Sequence, residues 1–414
     1  MPHILFINQH YYPDFAATGQ LLSELCEDLA EKNWKVTVIT GMPEIGTYPK
    51  SYSKPLSFEE KKNISIYRIY NHPAGSKNIF NRLLHFFSFW VGSILKSLII
   101  EKIDLVYVMS SPPLLNGITA NILRVVRGVP YIYNVQDLYP GIAVEMGTIS
   151  NPKLIRISEK IEKYINSNSL SVFTLSDQMK DSISHNGIPE NKISVIPNWS
   201  DGDIIYPKKS SELRNQLRLE SKFLITYSGN IGLSQGLEKI IQIADQIKEI
   251  NHEIHFLIIG NGANLPFIRK MAEEKQLTNI TFLPFQPKEE LCDSLNCADL
   301  HIVPMAENMA KYLMPSKIYG IMAAGKPFLA IVDEGTEIYK LINETECGFQ
   351  LTYNHYQEAV NLLANCVNKK DRLAEMGRKG RKYFEENFDR KKVTEKYSFL
   401  LESSLPDFLN NPTS

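Results

Sequence analysis

Along this chain, short runs of consecutive apolar residues rich in Val and Ile alternate with longer stretches whose apolar positions recur every three or four residues. The runs at 3–8, 35–40, 64–70, 104–109, 130–135, 171–175 and 193–196 are continuous rather than alternating, the pattern of strands buried on both faces. Helix-length segments lie between most of them. The same grammar restarts at 223–227 and continues at 254–259, 280–283, 300–303 and 328–332, with helical periodicity over 237–249, 265–275 and 288–295. Strands alternating with helices in this way predict two doubly wound α/β domains with parallel sheets. The stretch 197–218 mixes Pro, Gly, Asp, Lys and Ser with little apolar content and reads as a connection. The expected division is 1–200, then 205–388, then a terminal segment 389–414 with a helix near 391–405.

Composition narrows the classes. Lys and Arg number 45 against 46 Asp and Glu, a net charge of -1, so nothing global draws the chain to nucleic acid. Five cysteines, none in a CxxC pair, argue for a reducing compartment and against both a disulfide scaffold and a cysteine metal site. The N-terminus lacks a basic region before its apolar run and reads as a first strand, not a signal peptide. The most apolar region, 79–100, is interrupted by Arg82, His85 and Lys96, so no spanning helix is expected. The wider segment 77–102, with Phe80, Leu83, Leu84, Phe86, Phe87, Phe89 and Trp90 beside Lys77, Arg82, Lys96 and Lys102, reads either as a core helix or as a surface helix lying on anionic lipid. A cytoplasmic protein, peripheral at the membrane in the second case, is the expectation.

Doubly wound domains bind ligands beyond the carboxyl ends of their strands, so chemistry is sought in the strand-to-helix loops and in a cleft between the domains. The first loop, 9–19, leads into a helix expected to start near Thr18 with a hydroxyl cap, and Gly19 permits a close approach to free N–H groups. A plain capped helix start explains the same residues. In the second half, Ser228, Gly229, Asn230, Gly232 and Gly236 follow a buried strand in the spacing G-x-x-G-x-x-x-G, which differs from the dinucleotide fingerprint but suits a loop around a diphosphate. Gly260 and Gly262 form a second such loop, or a tight turn. Pro315 predicts a helix start that puts Ser316 and Lys317 in a first turn, where a cation is unfavourable unless an anion faces it. Gly335, Thr336 and Glu337 predict another capped start. Gln136 and Asp137, just past the run 130–135, offer an amide and a carboxylate to sugar hydroxyls, or a turn cap.

Taken together, the loop after 4–8, Ser111-Pro112-Pro113-Leu114, Gln136 to Pro140, Ile196-Pro197-Asn198-Trp199, Tyr227 to Gly232 and Pro315-Ser316-Lys317 through Gly325-Lys326-Pro327 resemble the retaining glycosyltransferases of family 4. The branch most similar is that of capsule, O-antigen, colanic-acid-type exopolysaccharide and fucosamine transferases. The resemblance implies a GT-B fold: two Rossmann-like domains facing each other across a cleft, the last helix crossing back to the first. It also implies sugar transfer from a nucleoside diphosphate sugar, UDP-sugars being favoured, with retention and no required metal or other cofactor. A polyprenyl-diphosphate-linked or growing saccharide would be the acceptor. Carried onto this chain, Gly19 and Gly229 to Gly232 approach the phosphates and Ser316 and Lys317 hold them. Pro284 and Phe285 face the base, and Gly335, Thr336 and Glu337 hold donor hydroxyls. Asp137, Gln136 and Lys317 are the expected catalytic groups, the leaving phosphate itself taking the acceptor proton. The chain departs from the family at Asn230 and Gln235, where many members have Arg and Lys, at Gly320 for a ribose-binding Glu, and at Gln136-Asp137 for a His. Lys317 with Lys311, and Glu307, are expected to substitute.

Other readings remain open on the sequence. Asp201-Gly202-Asp203 is a DxD, the metal-nucleotide motif of the other major transferase fold. A sugar-nucleotide 2-epimerase shares the two-domain fold, although no carboxylate-histidine cluster stands out for its acid-base work. A partner subunit weak in catalysis would explain the departures.

Overall fold

The computed structural model describes residues 1–14, 16–43, 56–72 and 79–405, with Ile79, Phe80, Arg82 and Tyr356 described by backbone alone. Lys77, at the head of the amphipathic segment, lies outside the described residues. The chain divides into two compact units, one of Met1–Pro197 with Thr394–Ser414 and one of Asn198–Val393.

In the first unit the strands are β1 (His3–Ile7), β2 (Lys35–Gly41), β3 (Leu56–Lys61), β4 (Ile64–Ile69), β5 (Leu105–Met109), β6 (Tyr131–Val135), β7 (Ser171–Thr174) and β8 (Ile193–Val195). They form one sheet in the order β3-β4-β2-β1-β5-β6-β7-β8. Each neighbouring pair is parallel except β3 with β4. The strands β1, β5 and β6 are buried at every position, which is why their sequences read as unbroken apolar runs. β3 was not expected: as an edge strand half open to water it carries Glu59, Glu60 and Lys61, and edge positions tolerate such charge. The chain order reverses between β1 and β5. The helices α1 (Ala17–Glu31), α2 (Ile79–Ile99) and α3 (Leu115–Arg127) flank this sheet.

In the second unit β9 (Phe223–Ser228), β10 (Ile254–Ile259), β11 (Ile280–Leu283), β12 (Leu300–Pro304), β13 (Phe328–Ile331) and β14 (Gly348–Leu351) are all parallel, in the order β11-β10-β9-β12-β13-β14. Alternate residues of β10 serve two cores. Phe256 and Ile258 pack on one face with Ile240, Ile243 and Ile247 of the helix Glu238–Ile250, while Leu257 and Ile259 pack on the other with Cys297. Each of these isoleucines contributes roughly 1.5–3 kcal/mol by leaving water. Order reverses here between β9 and β12, which makes the loops after these two strands the natural ligand crevice of the unit.

The last helix, Arg390–Ser403, begins in the second unit and from Thr394 belongs to the first. Its Tyr397 is buried there, edge-on to Phe173 at 5.7 Å and Tyr107 at 6.4 Å between ring centres. Among the described residues no helix is long and apolar enough to cross a membrane.

Candidate functional site

Parallel register brings the predicted loops of the second unit to one edge. Ser228 pairs with Ile259 and Ile259 with Leu283, so Gly229, Gly260 and Pro284 follow side by side. Pro304 pairs with Ile331, which sets the loops carrying Glu307 and Gly335 beside each other on the same edge. The Asn308 N–H donates to Asp333 Oδ2 at 2.8 Å and ties those two loops together.

The glycine loops lock into each other. A Cβ at Gly260 would lie 1.9 Å from the Gly229 carbonyl oxygen, and one at Gly262 would lie 2.3 Å from the Ile231 carbonyl oxygen. Both residues also hold positive φ, 149° and 157°, so these glycines are required by packing and by backbone shape at once. The lock consumes donors. Gly229 N–H bonds the Ile259 carbonyl, Ile231 N–H the Asn261 carbonyl and Gly232 N–H the Gln235 side chain, each at 2.8–2.9 Å. From 229 to 232, only the Asn230 N–H has no acceptor among the described residues. Gln235, expected as a departure from the family's cation, is used to close the loop's own turn.

Lys317 lies against this loop. A Cβ on Gly229 would meet its Cε at 3.3 Å and its Nζ at 3.4 Å, so a side chain there would displace the lysine. Its ammonium sits 4.0 Å from the centre of the Tyr227 ring, and Tyr227 in turn donates its hydroxyl to the Asn230 carbonyl. The lysine is half-buried and has no hydrogen-bonded or ionic partner among the described residues. Desolvation by the surrounding protein brings its pKa down from 10.5 to about 7. A cation this poorly solvated, resting on a ring face, is short of an anion.

Several expectations are corrected by local geometry. The helix after Pro315 runs Lys317–Ala323, only seven residues, with exposed Ser316 as its cap residue making no side-chain cap bond. Thr336 precedes the helix Glu337–Thr345, but its hydroxyl donates to the Asp333 carbonyl at 2.8 Å instead of capping. Gly335 stands open, with φ 75° and no atom within 4 Å of a Cβ position. The ammonium of Lys311, expected to assist Lys317, is held by Asn308 Oδ1 at 2.8 Å. Position 320 faces Leu295, 3.2 Å from where a Cβ would be, so Gly320 packs against that leucine. Glu307 and Pro284 are exposed and Phe285 half-buried. The DxD carboxylates are taken up by cations: Asp201 receives Arg390 at 3.1 Å and Asp203 receives Lys391 at 2.7 Å.

In the first unit, α1 starts at Ala17 after Ala16, not at a Thr18 cap, and no side chain caps it. Buried Gly19 seats the helix on its own loop, a Cβ there coming within 3.0 Å of the His10 and Tyr11 backbone. Beyond β6, Gln136 is buried and donates to Asn134 Oδ1 at 2.9 Å. Asn134 donates onward to the hydroxyls of Tyr107 and Tyr397, the latter at 3.1 Å. Asp137, next along, is exposed to water although protein crowds it, and that crowding pushes its carboxyl up to about 6. Sequence reasoning missed Tyr227 as the seat of Lys317 and Asn134 and Tyr397 as the shelf under Gln136. A polar Asn inside the buried run 130–135 was the available signal for the second.

Comparisons with known proteins bear on the family and the fold. Residues 18–203 match the family model described as Glycosyltransferase Family 4, and residues 209–383 match that described as Glycosyl transferases group 1. The colanic acid biosynthesis glycosyl transferase WcaI of Escherichia coli (strain K12) is 26% identical over 413 residues, 95% of this chain and 98% of WcaI. The glycosyltransferase WbjE of Pseudomonas aeruginosa is 27% identical over 61% of this chain and 63% of its own. Among solved structures, Anabaena Alr3699/HepE in complex with UDP-glucose superposes with a TM-score of 0.74 at 16% identity, covering 97% of this chain and 100% of that one. Sucrose-phosphate synthase from Thermosynechococcus elongatus gives 0.78 at 16% identity, covering 97% and 99%.

Proposed function

Since this chain belongs to glycosyltransferase family 4 and has the GT-B fold, we propose that it moves a sugar, with retention at the anomeric carbon, from a nucleoside diphosphate sugar to a saccharide acceptor in surface polysaccharide synthesis. A UDP-sugar is the favoured donor, which the UDP and UDP-glucose complexes of the fold neighbour HepE support. The acceptor on this reading is lipid-linked, and no metal is required.

One observation carries the proposal: a poorly solvated lysine, resting on a ring and without a hydrogen-bonded or ionic partner among the described residues, packed on a glycine loop at the point where strand order reverses. A diphosphate laid beside Gly229 receives the Lys317 ammonium and the Asn230 N–H. As the bond between the sugar and the diphosphate lengthens, charge accumulates on the leaving oxygen, and a cation fixed beforehand stabilises it without reorganising. The nearest phosphate oxygen accepts the proton of the incoming hydroxyl. Gly335, Thr336 and Glu337 orient the donor sugar, Pro284 and Phe285 border the base, and Gln136 and Asp137 bind sugar hydroxyls.

A thermal-shift panel of UDP-, GDP- and dTDP-sugars tests the reading, because a ligand bound only by the folded state raises the midpoint by mass action. Stabilisation by one nucleotide class, lost in Lys317→Ala, supports it. No shift with any of them, together with no nucleoside diphosphate binding by calorimetry, overturns it.

A further inference from the structure

The core of the first unit contains a polar stack where an apolar one would fold more simply. β6 is buried at every position, yet its fourth residue is Asn134, 1% exposed. The parallel register sets Asn134 level with Phe173 of β7 and two residues beyond Ile132, the partner of Tyr107 on β5, so Asn134 and Tyr107 share one face of the sheet. Tyr397 of the last helix closes on that face. Its ring and that of Tyr107 pack edge-on to Phe173, at 5.7 and 6.3 Å between centres, and Tyr107 also meets Phe6 at 5.1 Å. Packing therefore fixes both rings and delivers their hydroxyls to the Asn134 amide.

A buried amide is costly unless its hydrogen bonds are made, and a half-satisfied one is worse than an apolar side chain. Here they are made. Nδ2 donates to the hydroxyls of Tyr107 and Tyr397, the latter at 3.1 Å, and Oδ1 accepts from Gln136 Nε2 at 2.9 Å. The Gln136 backbone N–H is held as well, by Ser110 Oγ at 3.0 Å. The first residue after β6 thus has its main-chain and side-chain nitrogens both fixed by core side chains, and the next, Asp137, is the first after Tyr131 to be exposed. For stability alone, a leucine among phenylalanines would fill the same volume with no polar atom to satisfy. What the polar stack adds is orientation: it selects a Gln136 rotamer that reaches Asn134 Oδ1, at the root of the loop that carries Asp137.

We propose that Asn134 is a positioning residue, held by Tyr107 and Tyr397, that fixes the Gln136 amide and through it the start of the Asp137 loop. The role rests on the reading of Gln136 and Asp137 as groups that bind sugar hydroxyls.

Two measurements on the full chain test it. In protein isotopically labelled at glutamine side-chain nitrogens, the Gln136 resonance is identified by its loss in Gln136→Ala. Its order parameter should be about 0.85 in wild type and below about 0.6 in Asn134→Leu. Turnover is followed as nucleoside diphosphate released from whichever UDP-, GDP- or dTDP-sugar stabilises the protein most. Gln136→Ala and Asn134→Leu should each lower kcat about 10- to 100-fold, and the double variant should be no slower than the slower single, because both remove the same placement. The midpoint shift given by the donor should be that of wild type in Asn134→Leu. Circular dichroism checks the fold. Should Asn134→Leu not fold, Tyr397→Phe keeps the ring and serves as the second variant, with kcat lowered about 3- to 10-fold. A Gln136 amide as rigid as in wild type in the folded variant, or single effects that multiply in the double variant, overturns the positioning role and leaves the transferase reading standing. Wild-type turnover in Gln136→Ala overturns the positioning role together with the reading of Gln136 as a substrate contact. If none of the nucleotide sugars binds, the transferase reading falls, and the order parameter alone decides whether Asn134 fixes Gln136.

Discussion

Lys317 carries a thermodynamic signature that a generic surface lysine lacks. In the unliganded protein its pKa is about 7 against an ordinary 10.5, because folding strips water from the ammonium without supplying an anion. The unfolded chain therefore binds more protons than the folded one between those two values, and stability without donor should rise as pH increases from about 7 toward 10.5. Donor binding reverses the preference, since a diphosphate beside Nζ favours the charged form. At pH 8 about nine-tenths of the free protein holds Lys317 neutral, so donor binding should take up about 0.9 proton, against about 0.1 at pH 6. Calorimetry in two buffers of different ionisation enthalpy reads this uptake directly. Lys317→Ala should abolish it and weaken binding by roughly 10- to 150-fold, the loss of one charge-assisted hydrogen bond of about 1.5–3 kcal/mol. Comparing variant with wild type at each pH removes the ligand's own titration. An uptake at pH 8 that survives in Lys317→Ala, or a donor affinity unchanged by the substitution, refutes the assignment.

Four further outcomes follow from the same geometry. Gly260→Ala drives a Cβ onto the Gly229 carbonyl and should lower stability by more than about 3 kcal/mol in denaturant titration, whereas Gly335→Ala, with open space around it, should cost only about 1 kcal/mol. Tyr227→Leu removes the ring beneath Lys317 and should weaken donor binding by about 3- to 30-fold, while Tyr227→Phe keeps the ring and should stay within a few fold by calorimetry. Tyr397→Phe deletes one bond to Asn134, so unfolding should become easier by about 1 kcal/mol, with the kinetic effect confined to acceptor KM and kcat and donor Kd unchanged. Asp137 is about half protonated near pH 6, and kcat should fall below that pH; Asp137→Asn should lower kcat and flatten that limb of the profile without altering donor affinity.

What the sequence revealed and what it concealed divide along one physical line. Continuous burial leaves a mark in every residue of a strand, so β1, β5, β6 and β10 were legible to within a residue or so. β3 was not, because an edge strand carrying Glu59, Glu60 and Lys61 satisfies no burial pattern, and neither was the four-residue β14, whose exposure is intermediate over Phe349, Gln350 and Leu351. At the site, residue type located the anion-seeking lysine: Pro315-Ser316-Lys317 stood out because a cation in a first turn is misplaced. The reason it works is different and tertiary. The helix behind it is two turns long, and what strands the charge is the Tyr227 ring and the Gly229 backbone, which come from another strand. Glycine spacing likewise marked both loops but could not show that each is locked against the other and that three N–H groups are consumed in doing so. The consequence for catalysis is specific. With three of the four N–H groups from 229 to 232 committed to the loop's own architecture, the proposed stabilisation of a departing diphosphate falls on the Asn230 amide and the Lys317 ammonium, and neutral Gln235, which closes the turn, adds no charge. That concentrates the pH dependence of donor binding on Lys317, which is why its proton count is the measurement that discriminates most sharply.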